Sequence, residues 1–172
     1  MTYLPAFDPY GAAYRLLHLI ALFPLGEAVE VDRLRIFDFY LLFPERTHMI
    51  HLRRTESQLR AQRARAVGPR SASYSLVADG RRLLERMQPC QTTALQGLSA
   101  RGIISPHRLL SGEVCVADVP LMQQALSSLP PLTEREHAVA QWLVHSFGRT
   151  PMTGNYGLKY RTQLIEYRYD GC

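Results

Sequence analysis

Between Val31 and Pro44 the chain reads Val-Asp-Arg-Leu-Arg-Ile-Phe-Asp-Phe-Tyr-Leu-Leu-Phe-Pro, and this segment restricts the fold more than any other. Asp32 can cap a helix that Pro44 ends, so a helix over Asp32–Leu42 is expected. Leu34, Ile36, Phe37, Phe39, Tyr40, Leu41, Leu42 and Phe43 cover most of its circumference. A helix apolar on nearly every side belongs at the centre of a core or is partly buried in a partner. Asp38 interrupts this run. Its carboxylate either pairs with an arginine of the chain in the interior or sits on the one wet face and docks an arginine of another subunit. With 172 residues, 47% hydrophobic and 20% charged, the chain has the material for one compact domain over 1–172 around such a helix.

Other helices announce themselves by their caps and spacing. Asp8-Pro9 is an acceptor followed by proline at the first helical position. Tyr10, Ala13, Tyr14, Leu17, Ile20 and Ala21 then recur at helical intervals up to about Phe23. Thr133-Glu134-Arg135-Glu136 is a capping box opening a helix with Val139, Trp142, Leu143 and Phe147. Glu56–Val67 and Leu121–Leu129 are further helical stretches. From Asp79 the pattern is helical to Met87, with a break or kink expected at Pro89, and a second helix over Cys90–Ala100 ends at Gly102. Ile103-Ile104 and Glu113–Ala117 are candidate short strands, with one helical turn from Ser105-Pro106 to Gly112 between them. In the tail, Gln163–Asp170 alternates, which favours a strand whose Ile165, Tyr167 and Tyr169 face is covered. The fold class expected is mainly α with one or two small β strand pairs, α+β. The outline of Arg81–Val116 would also suit a degenerate winged-helix core, although its Ser105–Gly112 connection is too long for a tight hairpin wing.

The formal charge of +5 is unevenly spread. Nine arginines lie between His51 and Arg86 against Glu56, Asp79 and Glu85, so the arginine-rich segment 51–86 carries an excess of six. Lys159 is the sole lysine. Arginine suits bidentate contact with phosphate or carboxylate, so Arg53, Arg54, Arg60, Arg63, Arg65 and Arg70 are candidates for touching DNA or an acidic neighbour. Tyrosine and arginine also crowd the tail, and both are enriched at interaction hot spots. Tyr160, Arg161, Tyr167, Arg168 and Tyr169, with Asp38, Tyr40 and Phe43, are the candidate subunit interface.

Catalytic and cofactor motifs are not found. No G-x-x-x-x-G-K-[ST] or G-x-G-x-x-G stretch occurs. Gly97–Gly102 falls one residue short of a nucleophile turn, and Ser99 belongs mid-helix. His48 and His51 lack further metal ligands, and the single Glu134/His137 pair is better explained by helix capping. No cofactor, metal or catalytic residue is expected, and the chain reads as a non-enzyme. Cys90, Cys115 and Cys172 are odd in number and widely spaced, Met1–Asp8 has no basic residue, and no apolar run spans a bilayer. A cytoplasmic protein without membrane contact is expected.

Three quoted segments together resemble a known family. They are Pro9–Phe23 with Val31–Pro44, then Leu84–Pro89 with Ala94–Leu98 and Gly102–Ile104, and finally Gly157–Asp170. In this order and spacing they resemble the fifth group of middle components of ABC-three-component systems, bacterial defence systems against phages or plasmids of which Lamassu is one kind. The resemblance implies a non-catalytic bridging subunit that links a Rad50/SMC-like ABC ATPase to an effector, often a nuclease, in a complex that contacts double-stranded DNA. The residues leave another reading open, a stand-alone winged-helix transcription regulator. Its recognition helix would be Cys90–Arg101, with Gln91, Thr92 and Gln96 reading bases.

Overall fold

A computed structural model describes residues 5–70 and 79–166. Tyr167, Arg168 and Tyr169 of the expected interface lie outside the described residues, as do Cys172 and Ser71, Ser73 and Ser75. The apolar segment is a helix, α2 (Val31–Leu42), and it is the core's axis: Leu34, Ile36, Phe37 and Phe39 are each 0% exposed. Each such side chain contributes roughly 1.5–3 kcal/mol of burial. Three helices surround it. α1 (Pro9–Ile20) starts as its sequence demands, with the Asp8 carboxylate accepting from the amides of Tyr10 and Gly11 at 3.1 and 3.0 Å. α4 (Gly80–Ala100) packs along α1 and α2. α7 (Glu134–Phe147) opens on the Thr133–Glu136 capping box and packs against α2 from another side. α3 (Ser57–Val67) is the outermost helix, laid on α7, where the Trp142 indole donates to the Leu59 carbonyl at 3.2 Å.

The strands are shorter and differently paired than the sequence implies. β1 (Val29–Glu30) runs antiparallel to β2 (Glu113–Val114), Val29 opposite Val114, while Ile104 and Val116 form a single bridge. Thus Glu113–Val114 finds its partner next to α2, and only the bridge joins it to Ile103-Ile104. α5 (Pro106–Leu110), capped by Ser105, fills the connection, and α6 (Val119–Ser127) follows. In the tail a short helix, α8 (Leu158–Thr162), ends at Gln163 with φ 53°. No strand follows over Leu164–Glu166, and Leu164 is buried there rather than Ile165.

The break at Pro89 does not occur. α4 is one helix of 21 residues. Leu84, Met87, Gln91, Ala94 and Leu95 are all buried, so packing holds the residues on both sides of Pro89 in register. Pro89 itself is exposed, as is Glu85, whose carbonyl is the acceptor that loses a partner, and solvent can serve it. Arg81–Val116 therefore has one continuous helix where the winged-helix outline placed two, followed by the Ile104–Val116 bridge. Gln91, assigned to base reading in that alternative, is 1% exposed and bonded to Asp38 and the Arg35 carbonyl.

Asp38 is 0% exposed and belongs to the interior. Arg15 of α1 grips it through Nε at 2.5 Å and Nη2 at 3.3 Å, and the Gln91 amide of α4 donates to it at 2.8 Å. A carboxylate fully removed from water needs such partners. These bonds tie three helices together, and they correct the expectation of Asp38 as a docking residue. Tyr40, 2% exposed, is likewise in the core, where burial raises its hydroxyl pKa well above the ordinary tyrosine value.

Candidate interaction surface

The arginines of 53–70 separate into two kinds. Arg60 and Arg63 lie on one side of α3 and are consumed by the protein's own backbone. The Arg60 guanidinium donates to the carbonyls of Arg53 at 2.6 Å and of Leu52 and Arg54 at 3.3 Å, closing the loop before α3. Arg63 donates to the Thr47 carbonyl at 2.9 Å. These two expected contact residues are therefore half-buried struts. Arg53, Arg54, Arg65 and Arg70 are exposed. Among the described residues, no carboxylate lies within ion-pair distance of any of the six. The uncompensated charge is felt locally. Desolvation, then Arg60 and Arg70, lower the Arg63 pKa, and His48, beside Arg63 and Arg70 and bonded to the Gly68 carbonyl, is held below the ordinary histidine range, first by burial.

At the N-terminal end of this band the chain returns. His51 donates its amide to the Arg161 carbonyl at 2.9 Å, and the Arg161 guanidinium grips both oxygens of Glu56 at 2.8 and 2.9 Å. It also bonds the carbonyls of Tyr156 at 2.7 Å and His51 at 3.1 Å. Arg161 is 5% exposed, so its role is internal and the expectation of a partner contact at this position is corrected. The Arg161 bond holds the Glu56 carboxyl below the usual carboxylate range.

What this joint builds on the outside is an aromatic edge. Arg53 stacks 4.2 Å from the centroid of Tyr156, and Tyr160 meets Tyr156 and His51 edge-on at 5.6 and 5.9 Å. Tyr156 is not among the candidate interface residues read from the sequence. It is 40% exposed and has φ 60°, a left-handed conformation that a bulky side chain rarely adopts. Gly154 and the turn composition of Thr153-Gly154-Asn155-Tyr156-Gly157 are the signals the sequence offers. The structure thus brings Arg53 and Tyr160 to one edge. Phe43, the remaining interface candidate, is half-buried against Phe39 and takes no part.

Guanidinium groups beside exposed aromatic faces can hold phosphates and stack on planar groups. Among the described residues no cluster of three metal-ligating side chains occurs, and no helix is long and apolar enough to cross a membrane. A family model described as ABC-three component (ABC-3C) system Middle Component 5 matches residues 1–170. The chain belongs to this family. No curated protein and no solved structure matches it significantly. As a middle component it is an accessory part of a multi-component system, in keeping with a non-catalytic role.

Proposed function

We propose that this middle component is a non-catalytic bridging subunit of a cytoplasmic anti-phage or anti-plasmid complex. It links a Rad50/SMC-like ABC ATPase to a nuclease-type effector, and its arginine face meets double-stranded DNA within the assembly. Membership of the family supports the accessory role. The observation that carries the DNA contact is the set of exposed arginines, Arg53, Arg54, Arg65 and Arg70, to which no carboxylate is ion-paired among the described residues, with Tyr156 and Tyr160 at one end. Elsewhere among the described residues Arg15, Arg33, Arg35, Arg81, Arg82, Arg108, Arg135, Arg149 and Arg161 have acidic partners, while Arg86, which lies over Phe7, and Arg101 stand as single exposed cations rather than as a cluster. A cluster left unneutralised beside aromatics fits a polyanion, whose phosphates take the place of the missing acids.

The test is co-expression of the tagged chain with the subunits encoded beside it, followed by DNA retention at several salt concentrations. Recovery of an ATPase and an effector with the tag is expected. Arg54→Glu/Arg65→Glu/Arg70→Glu should leave assembly intact while lowering DNA affinity. The slope of log affinity against log salt should shrink by about 3, close to one per arginine. Unchanged retention would refute the DNA contact, and loss of a subunit would mean that the face meets an acidic protein surface instead.

A further inference from the structure

Away from the arginine face, α4 borders a groove of about 970 Å³. One wall is a stripe of α4, with Gln88, Thr92, Leu95 and Ser99 at helical spacing. From 88 to 99 this wall is about 16 Å long, or three helical turns. The first turn of α2 and Met152 form the other wall, and α5 closes one end. At that end Leu110 is 91% exposed, a leucine held at the lip of an apolar groove by a short helix packed on α4 and β2.

The groove's charge is unbalanced. Asp32 is the shared acid of two cations, Arg35 at 3.0 Å and Lys159 at 3.5 Å, and among the described residues Lys159 has no other ion pair. Glu30, also on the lining, is committed to Arg33 at 2.8 Å. One positive charge therefore remains at an apolar surface. An occupant that covered it without supplying a carboxylate would bury a poorly compensated cation.

The walls are mostly helix flanks, whose backbone groups are already bonded within their own helices, so an extended peptide would find few main-chain partners. A helix brings its own hydrogen bonds. We infer that the groove receives an amphipathic helix of about three turns from another subunit, with an apolar stripe against Leu109 and Leu110 and an acidic residue beside Lys159. This rests on the bridging role proposed above and gives it a surface.

The experiment places a photo-crosslinking phenylalanine analogue at Leu110 or at Gln96, with Tyr10 as a control position outside the groove, in the co-expressed complex. Both groove positions, and not Tyr10, should capture a single segment of a neighbouring subunit. That segment should show apolar residues at helical spacing and an aspartate or glutamate. Lys159→Glu should lower the cross-link yield roughly tenfold, and reversing the captured acid to lysine should restore it. Capture of a second copy of this chain, capture within the chain itself, or no capture while the wild-type complex holds together would each overturn the inference and leave the bridging role standing. Failure of the wild-type complex to form would remove both.

Discussion

The buried Arg15–Asp38 pair gives the sharpest quantitative expectation. In Asp38→Leu the Arg15 guanidinium, whose side chain is 7% exposed, loses its carboxylate, and the Gln91 NH2 keeps only the Arg35 carbonyl at 3.2 Å as acceptor. Stranding one partner of a buried ion pair costs about 3–5 kcal/mol. Domains of ordinary stability have about 5–15 kcal/mol to lose, so a third or more of the total can go in one substitution. With a urea m value of about 2 kcal/mol/M, the unfolding midpoint should fall by roughly 1.5–2.5 M. The paired variant Arg15→Met/Asp38→Leu removes both charges and should return to within about 1 kcal/mol of wild type, because the desolvation penalties vanish together. Urea unfolding followed by circular dichroism on the wild type, Asp38→Leu, Arg15→Met and the paired variant closes the cycle. The paired variant should also co-purify with its partner subunits as the wild type does, since Asp38 is inaccessible to them. A single variant that loses under 1 kcal/mol, or a paired variant as unstable as the single one, would refute this account of the core.

Two further expectations test the edge and its surroundings. Gly157→Ala adds a Cβ that would lie 2.3 Å from the Thr153 carbonyl, so the turn bearing Tyr156 must shift, whereas Gly97→Ala on α4 meets nothing within 4 Å. The first should destabilise by about 2 kcal/mol and the second should stabilise by up to about 1 kcal/mol, read from thermal melts. His48 is held below its ordinary value of 6.5, first by burial and then by Arg63. The unfolded chain therefore binds the proton more readily, so stability falls as pH drops below about 6.5 and levels off below the folded pKa. His48→Gln should flatten that part of a stability profile between pH 7 and 5, leaving a residual slope from His18, which is also lowered, chiefly by burial. An unchanged slope would show that His48 is not the group responsible.

The central helix was legible because an apolar circumference leaves a helix one place to go, and the caps at Asp8 and Thr133 were legible because capping is local. Partnerships between distant residues were not. The sequence offers many arginines for Asp38, and only the packing of α1 on α2 selects Arg15. Val29–Glu30 is too short to alternate, so nothing in its own pattern announces a strand, and its pairing with Glu113–Val114 is decided by where α2 begins. At Pro89 tertiary packing keeps the helix unbroken, since the residues that anchor α4 flank the proline on the buried side. The bulk of Tyr156 argues against a left-handed conformation, and the one it adopts is over-determined by Arg161 holding its carbonyl.

The arginine count carries a related lesson about charge. Segment 51–86 has three acids; Glu56 is held mainly by Arg161 while also accepting from the Arg53 amide at 2.7 Å, and the other two pair outside the 53–70 stretch. Glu56 pairs with Arg161 at 2.8 Å, Asp79 with Arg82 at 3.5 Å and Glu85 with Arg81 at 3.4 Å. The excess at Arg54, Arg65 and Arg70 is therefore left without an ion-paired carboxylate among the described residues, while Glu56 partly offsets Arg53. Yet the number of cations available to a partner is smaller than the sequence implies, because Arg60 and Arg63 are spent on backbone carbonyls of the loop and turn beside α3. Both facts follow from the same geometry. The loop around Arg53 is closed from inside by Arg60 and from below by the Arg161–Glu56 pair, and this closure is what leaves Arg53, Arg54 and Tyr156 facing outward together. Removing Arg161 or Glu56 should therefore weaken partner or DNA contact indirectly, through a disordered edge, while removing Arg54 should weaken it with the fold unchanged.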